Sequence, residues 1–222
     1  LPVIQHLLDS GKQPSRRTAR ALILAPTREL VAQISDNIKA YTKYTSLSVA
    51  AVYGGNKMSS QVRQLESGVD ILVATPGRLS EHMQEGNVSI ANLEFLVFDE
   101  ADRILDMGFI NAVREIMMEV ETAPQIMMFS ATTSSQLNQL SADILRKPKR
   151  ICVDHENSTA ATVAHVVYPV DQERKTELLS ELIGRKNWQQ VLVFVNYKET
   201  ANEIVKELKL DGIKAVLCHG DK

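Results

Sequence analysis

The chain is poor in cysteine, and its few histidines are scattered. Its 222 residues include two cysteines, Cys152 and Cys218, whose spacing fits no zinc or redox motif. We therefore expect two buried, reduced thiols, since an unbridged cysteine usually packs as a small apolar residue. The five histidines form no ligand pair, which argues against a metal ion held by histidine or cysteine.

The chain has no excess of positive charge, and aromatic side chains are few. The net charge is −2 and aromatic residues make up 5% of the chain. These values argue against nucleic-acid binding through bulk charge or through a row of stacking platforms. Both leave room for local contacts to phosphate groups.

Long apolar runs are absent too. No run approaches the roughly 20 residues needed to cross a bilayer. Residues 1–8 are too short for a signal peptide and lack its charged leader. We expect no membrane partner and a cytoplasmic location.

The sequence does contain a regular alternation of short apolar runs and amphipathic segments. Eight runs predict strands, at 20–25, 47–53, 70–75, 94–98, 126–130, 163–170, 190–195 and 214–219. Helical faces are predicted from Leu30, Leu137, Leu178 and Ala201 onward. This pattern predicts an α/β fold with a doubly wound parallel sheet, in which ligands bind at the carboxyl ends of the strands.

Two polar stretches interrupt the alternation. Residues 154–159 have no periodicity. We interpret 1–153 as a first domain, 154–162 as a linker and 163–222 as the start of a second domain. Residues 10–20 include Lys12, Arg16, Arg17 and Arg20, and we expect a solvated loop there because clusters of like charge usually face water.

Acidic residues directly follow the predicted strand 94–98, in the motif Asp99-Glu100-Ala101-Asp102. Carboxylates at the end of a buried strand suit a magnesium ion and the attacking water of a phosphoryl transfer. The structural alternative is a helix N-terminus enriched in acidic residues, which favours the helix dipole in any case. The position after an apolar strand favours the functional interpretation.

Hydroxyl groups, glycines and arginines follow the other strands. Ser130-Ala131-Thr132 closes the run 126–130, where its hydroxyls could bond the neighbouring carboxylates or simply cap a helix. Pro26-Thr27-Arg28-Glu29-Leu30, Gly54-Gly55 and Thr75-Pro76-Gly77-Arg78 each follow a strand. They suit phosphate binding at helix N-termini, although plain turn chemistry explains each of them alone. Five consecutive strands ending in such groups favour one binding rim.

In order and spacing these motifs resemble those of the DEAD-box RNA helicases, and of the bacterial members of that family in particular. Asp106-Met107-Gly108-Phe109, residues 191–196 and His219-Gly220-Asp221 are similar to that family as well. The resemblance implies two RecA-like doubly wound domains, both truncated in this sequence. It also implies an ATP-dependent RNA helicase that uses ATP and Mg²⁺ and binds RNA.

The resemblance further implies roles for single residues. Asp99 would hold the magnesium ion, Glu100 would be the base or orient the water, and Asp102 with Ser130 and Thr132 would couple the nucleotide to RNA. Contacts to the sugar-phosphate backbone, which read no sequence, are implied for Pro26, Thr27, Arg28, Gly54, Gly55, Thr75, Pro76, Gly77, Arg78, Asn196 and Gly220. Protein partners are not indicated.

The family's phosphate loop has no counterpart in this sequence. Nothing matches Gly-x-x-x-x-Gly-Lys-Ser/Thr, and residues 1–8 resemble the helix that follows that loop. The arginine motifs of the family's second domain are absent as well. We therefore expect a segment of a longer protein that by itself hydrolyses ATP negligibly and exposes strand edges. Two alternatives stay open, a non-catalytic RNA-binding or scaffold fragment and a DNA translocase of the wider helicase group.

Overall fold

The computed structural model describes residues 1–152 and 163–220. The chain divides into two compact units, Leu1–Ser158 and Thr159–Lys222. The predicted linker, 154–162, and Asp221 of the last motif lie outside the described residues. The domain limits 1–153 and 163–222 stay predictions.

Helices and strands alternate throughout the first unit. Its helices are α1 Pro2–Asp9, α2 Arg28–Thr42, α3 Met58–Leu65, α4 Pro76–Gln84, α5 Ala101–Asp106, α6 Ile110–Met118 and α7 Ser135–Ile144. Its strands are β1 Ala19–Leu24, β2 Val49–Val52, β3 Val69–Ala74, β4 Phe95–Phe98 and β5 Gln125–Met128. The five strands predicted in this part of the chain are confirmed, with ends that differ by at most two residues. In the described part of the chain, no helix is both long enough and apolar enough to span a bilayer.

The five strands form one parallel sheet in the order β2-β3-β1-β4-β5. All six residues of β3 are buried, and Leu22 of β1 lies between Leu72 on one side and Leu96 on the other. Strands read as unbroken apolar runs when both faces of a sheet are covered. The predicted α/β fold with a RecA-like parallel sheet is confirmed.

Helices cover both faces of this sheet. On one face, Leu7 of α1 and Val31 of α2 pack with Ile71 of β3. On the other face, buried side chains of α3 to α7 pack against alternate strand residues; they are Leu65, Leu79, Ala101, Ile104, Val113, Ile116, Leu137 and Leu140. Each fully buried aliphatic side chain contributes about 1.5–3 kcal/mol, so the two layers hold the strand ends in fixed register.

The polar stretch 10–20 is only partly the solvated loop that was predicted. Lys12 and Arg16 are exposed, but Arg20 enters β1 and is 5% exposed. Its guanidinium donates to Asp70 at 2.9 Å and to Glu94 at 2.8 Å. The solvated interpretation is wrong for Arg20 because Asp70 of β3 and Glu94, which directly precedes β4, compensate its charge inside the protein.

The second unit holds a 3-10 helix, Gln172–Arg174, and the helices α8 Lys175–Arg185 and α9 Lys198–Leu210. The helical faces predicted from Leu178 and Ala201 are thereby confirmed. The strands predicted at 163–170, 190–195 and 214–219 are wrong, since no strand forms within residues 163–220. Side chains in these runs are exposed, 89% at Val167 and 87% at Phe194. A strand needs a hydrogen-bonded neighbour and a covered face, and an apolar run supplies neither by itself.

The prediction that both cysteines are buried is also wrong. Cys152 and Cys218 are exposed. Cys152 lies beyond α7, the last helix of the first unit, and Cys218 lies in the run 214–219 that forms no strand. No layer of helices or strands packs over either cysteine, so both are exposed although their neighbours in the sequence are apolar.

Candidate functional site

The carboxyl ends of the five strands meet at one edge of the sheet, because all five strands are parallel. One predicted motif follows each strand. Along the edge they come in the order 54–55, 75–78, 26–28, 99–102 and 130–132. Along the edge the motifs fall into two groups, and the members of each group are also consecutive in the sequence. We call residues 26–28, 54–55 and 75–78 the basic half of the edge, and residues 99–102 and 130–132 the acidic half.

The turn from β4 to α5 presents Asp99 and Glu100 between the ends of β1 and β5. The N–H of Asp99 donates to the C=O of Leu24 at 2.9 Å, and the N–H of Ala101 donates to the C=O of Phe129 at 2.9 Å. Glu100 lies in the left-handed region, with φ 48° and ψ 52°. Such a conformation costs about 1–3 kcal/mol and persists where its surroundings fix it. Here the last residue of β1 and the residue that follows β5 fix the turn from both sides.

Capping of α5 explains little of this acidic cluster. Glu100 is the N-cap residue, but its side chain makes no capping bond, and α5 has only six residues. Asp99 instead accepts the N–H of Glu100 at 3.1 Å through Oδ1. Both side chains are half-buried, so a ligand at the edge can reach them.

These two carboxylates fit a magnesium ion that is shared with a ligand. Among the described residues, no group of three or more His, Cys, Asp or Glu side chains could hold a metal ion. Mg²⁺ usually keeps several waters and binds one or two carboxylates together with phosphate oxygens. Asp99 and Glu100 satisfy that requirement, whereas a metal cage made of protein alone is not present in this part of the chain.

Asp102 connects α5 to the loop after β5. It is 9% exposed, and its Oδ2 accepts the N–H of Thr132 at 3.0 Å and the hydroxyl of Thr132 at 2.7 Å. Burial by itself raises the pKa of Asp102, but hydrogen bonds from Thr132 and from the N–H of Arg103 outweigh it, so the pKa lies below its ordinary value. Asp102 is therefore an ionised carboxylate that locks two segments of the acidic half together.

The helix-cap alternative for Ser130 and Thr132 is wrong. The residue that caps α7 is Ser134, whose hydroxyl accepts the N–H of Leu137 at 3.1 Å. Ser130 donates its hydroxyl to the C=O of Thr132 at 2.7 Å. The predicted bond between a hydroxyl of this motif and a neighbouring carboxylate is present at Thr132.

Replacing Thr132 by valine should raise the pKa of Asp102 and destabilise the protein near neutral pH. We expect a loss of about 1.5–3 kcal/mol in the free energy of unfolding, the usual contribution of a hydrogen bond to a charged group. A lowered folded-state pKa contributes stability above the ordinary carboxyl value of 3.8, and that contribution is lost as the pH falls below it. Denaturant unfolding near pH 7 and near pH 3 should therefore show a difference between wild type and variant that shrinks in acid.

Thr122 offers a matched control for that measurement. Its hydroxyl donates to the C=O of Leu93 at 2.7 Å, so Thr122→Val removes the same group from an acceptor that does not titrate. Its cost should be the same at both pH values. A Thr132→Val cost that is equally independent of pH would contradict the role assigned to ionised Asp102.

The basic half joins two motifs that are distant in sequence. Thr27 caps α2, accepting the N–H of Leu30 at 3.2 Å. The guanidinium of Arg28 lies directly against the α-carbon of Gly55, where a Cβ would overlap it. Gly55 also has a φ of 89°, a backbone conformation that residues other than glycine rarely adopt. The positive φ favours glycine at this position, and the absence of a Cβ leaves room for the guanidinium of Arg28.

The motif after β3 forms the start of α4. Thr75 is buried and donates its N–H to the C=O of Val52 at 3.1 Å, but its hydroxyl does not cap the helix. Arg78 donates to the C=O of Asn56 at 3.3 Å. Gly77 faces the ring of Phe109, which lies 3.7 Å from where its Cβ would be. Arg78 therefore connects α4 to the glycine turn after β2.

Asn196 and Gly220 lie in the second unit. Asn196 is exposed just before α9, and Gly220 is exposed near the amine of Lys198. Their predicted contacts to RNA stay predictions. The remaining members of the predicted RNA set, Pro26, Gly54 and Pro76, lie at the same edge as Thr27, Gly55 and Thr75.

Sequence reasoning missed two buried polar residues beneath the basic half, Gln61 of α3 and His82 of α4. A signal was available in the helical spacing. Gln61 lies four residues before Leu65 and His82 lies three residues after Leu79, so both occupy the buried faces of their helices. A polar residue on a buried face has to find partners inside the protein.

Comparison with known proteins agrees with this geometry. Residues 1–140 match the family model of the DEAD/DEAH box helicase. The chain is 43% identical over 226 residues to the ATP-dependent RNA helicase RhlB of Pseudomonas aeruginosa UCBPP-PA14, covering 100% of this chain and 57% of that protein. It is 42% identical over 205 residues to the RhlB of Pseudomonas putida KT2440, covering 91% and 52%. The chain thus spans about half the length of the curated relatives it matches. From the family match and these identities, the chain belongs to the DEAD/DEAH box helicase family.

Proposed function

We propose that the full-length protein is an ATP-dependent RNA helicase, which hydrolyses ATP when RNA is bound and thereby separates short duplexes. The observation that carries this proposal is the division of one sheet edge into an acidic half and a basic half. The names of the relatives support it. The limits 1–153 and 163–222 for two RecA-like domains, and a cytoplasmic location, remain parts of the proposal.

The acidic half is the proposed nucleotide end of the site. Asp99 would hold a magnesium ion, which supplies positive charge to the phosphate groups when it is bound. Glu100, next to it in the fixed turn, orients the attacking water or accepts its proton. The half-buried position of both side chains supports these roles, because water and phosphate can reach them.

The basic half is the proposed RNA end. Arg28 and Arg78 supply charge, and the N-termini of α2 and α4 supply backbone N–H groups. Gly55 keeps the chain close to the arginine at this edge. These groups suit phosphate oxygens rather than base edges, so we infer binding to the sugar-phosphate backbone without sequence preference.

The bond between Asp102 and Thr132 is the proposed link between nucleotide and RNA. Asp102 belongs to the helix that starts at Glu100, and Thr132 belongs to the loop after the edge strand β5. A shift of the carboxylate turn would be passed to that loop through two hydrogen bonds. Ser130, bonded to the C=O of Thr132, moves with it.

The test is ATP turnover by the full-length protein with and without single-stranded RNA. We expect RNA, but not DNA of the same sequence, to stimulate turnover. Stimulation by both would favour the DNA translocase alternative. RNA binding without any turnover would favour a non-catalytic RNA-binding or scaffold protein and overturn the proposal.

A further inference from the structure

A network of hydrogen bonds between two buried side chains lies beneath the basic half and connects α4 to the turn after β2. His82 is 0% exposed and Gln61 is 2% exposed. The Nε2 of His82 lies 3.0 Å from the Oε1 of Gln61, and the Nε2 of Gln61 donates to the C=O of Tyr53 at 2.9 Å. Tyr53 directly precedes Gly54. None of the roles proposed above uses these two buried side chains.

In this network, the hydrogen-bonding capacity of each partner fixes which group donates and which accepts. The C=O of Tyr53 can only accept, so the amide nitrogen of Gln61 faces it and the amide oxygen faces His82. That oxygen in turn requires a proton on Nε2 of His82. The other ring nitrogen, Nδ1, lies 3.4 Å from the side-chain nitrogen of Asn87, which is a donor. His82 is thus neutral, and every donor points toward Tyr53.

The Gly54-Gly55 turn depends on this hydrogen-bond network, because the turn lies beyond the last backbone hydrogen bond between β2 and β3. The bond from the N–H of Thr75 to the C=O of Val52 is at the end of the ladder between β2 and β3. β2 is also an edge strand, with β3 as its neighbour. Past Val52, side chains hold the turn: Gln61 binds the C=O of Tyr53 and Arg78 binds the C=O of Asn56.

Arg78 cannot hold the turn while it is bound to a phosphate group in the way proposed above. Its bond to Asn56 is exposed and is available for exchange with a ligand. The bond between His82 and Gln61 is buried and the bond from Gln61 to Tyr53 is partly buried; both side chains are covered, so these bonds stay in place. They connect the glycine turn to the same helix, α4, whose first turn carries Gly77 and Arg78.

We propose that Gln61 and His82 are positioning residues that hold the Gly54-Gly55 turn in register with the start of α4, so that both meet the same RNA backbone. The inference rests on the proposed function, since it assigns RNA to this half of the edge. It predicts a loss of RNA affinity from residues that RNA does not touch.

The test is the KM for RNA in RNA-stimulated ATP hydrolysis by the full-length protein. Gln61→Met keeps the approximate size of the side chain and removes both bonds. We expect the KM for RNA to rise about tenfold, the equivalent of one buried hydrogen bond. The KM for ATP and the kcat at saturating RNA should change by less than about twofold, because binding of RNA alone is affected.

Three further variants separate positioning from packing. His82→Gln retains a donor at the place of Nε2 and should keep the wild-type KM for RNA, whereas His82→Leu should raise it. Thr42→Val removes another buried hydroxyl bond, 2.9 Å long, at the far end of α2, about 22 Å from the edge by helix rise. It should lower the melting temperature without changing the KM for RNA. If Gln61→Met does not fold, the two His82 variants decide the matter.

Each outcome has one interpretation. Wild-type KM for RNA in Gln61→Met or in His82→Leu, with normal stimulation of the wild type, overturns the inference and leaves the proposed function intact. An equal rise in Thr42→Val overturns it too, because general loosening would then explain the effect. Absence of RNA stimulation in the wild type overturns the proposed function, and the inference with it.

Discussion

In the full-length protein, replacing Glu100 by glutamine should lower ATP turnover by about 10²–10⁴-fold, the usual contribution of a general base. Glutamine has nearly the same shape but accepts no proton, so the bound water loses its base. ATP affinity should stay close to that of the wild type, because Asp99 and the rest of the edge are unchanged. The measurement is steady-state hydrolysis at saturating RNA, together with direct binding of a labelled ATP analogue.

A control has to separate this loss from a general effect of removing one negative charge. Glu115 of α6 is exposed and lies outside the edge motifs, so Glu115→Gln makes the same chemical change elsewhere and should leave turnover unaltered. Turnover within about tenfold of wild type in Glu100→Gln, below the range expected for a lost base, would remove Glu100 from the proposed mechanism. A parallel loss of ATP binding would instead indicate that Glu100 helps to hold the nucleotide.

The conformation of Glu100 is hard to predict from sequence. Its left-handed backbone is held by bonds from Asp99 to Leu24 and from Ala101 to Phe129. Leu24 ends β1 and Phe129 follows β5, two strands that are distant in sequence. A sequence pattern can place acidic residues after a strand, but it does not contain the tertiary bonds that set the direction of the turn.

The first unit was predictable because its three inner strands, β3, β1 and β4, are buried on both faces. Runs such as Val69–Ala74 are apolar throughout since helices cover them on either side. The second unit has the same kind of runs but forms no strand within 163–220. The two units differ in what packs against their apolar runs. Strand β1 lies between β3 and β4, whereas Phe194 of the run 190–195 has 87% of its surface exposed.

The candidate site was predictable as a set of motifs but not as an arrangement. The parallel sheet alone brings the five motifs to one edge. Their division into an acidic and a basic half follows from the strand order, which places β2 and β3 on one side of β1 and β4 and β5 on the other. Strand order depends on which crossover connections pack best, and the local sequence near residues 54–55 or 99–102 does not predict that order.

The opposite end of the sheet supplies the second large effect. Arg20→Met should lower the free energy of unfolding by about 3–5 kcal/mol, because it leaves the buried carboxylate of Asp70 without its cation and removes the nearest cation of Glu94. Arg20 also donates to the C=O of Lys12 at 2.9 Å and to Ser10, so it ties the loop after α1 to the sheet. Burial by itself lowers the pKa of Arg20, but the bonds to Glu94 and Asp70 outweigh it and raise the pKa, which keeps the guanidinium charged. Denaturant unfolding of the full-length protein measures the loss.

The cause of that loss can be separated from the loss of packing. Arg16 makes the same kind of ion pair on the surface, 4.0 Å from Glu66 and 75% exposed, so Arg16→Met should cost no more than about 1 kcal/mol. Adding Asp70→Asn and Glu94→Gln to Arg20→Met removes the uncompensated charges and should recover part of the stability. If those additions recover nothing, the cost of Arg20→Met comes from the lost bonds to Lys12 and Ser10. The network would then anchor a loop, and the balance of charge would contribute little.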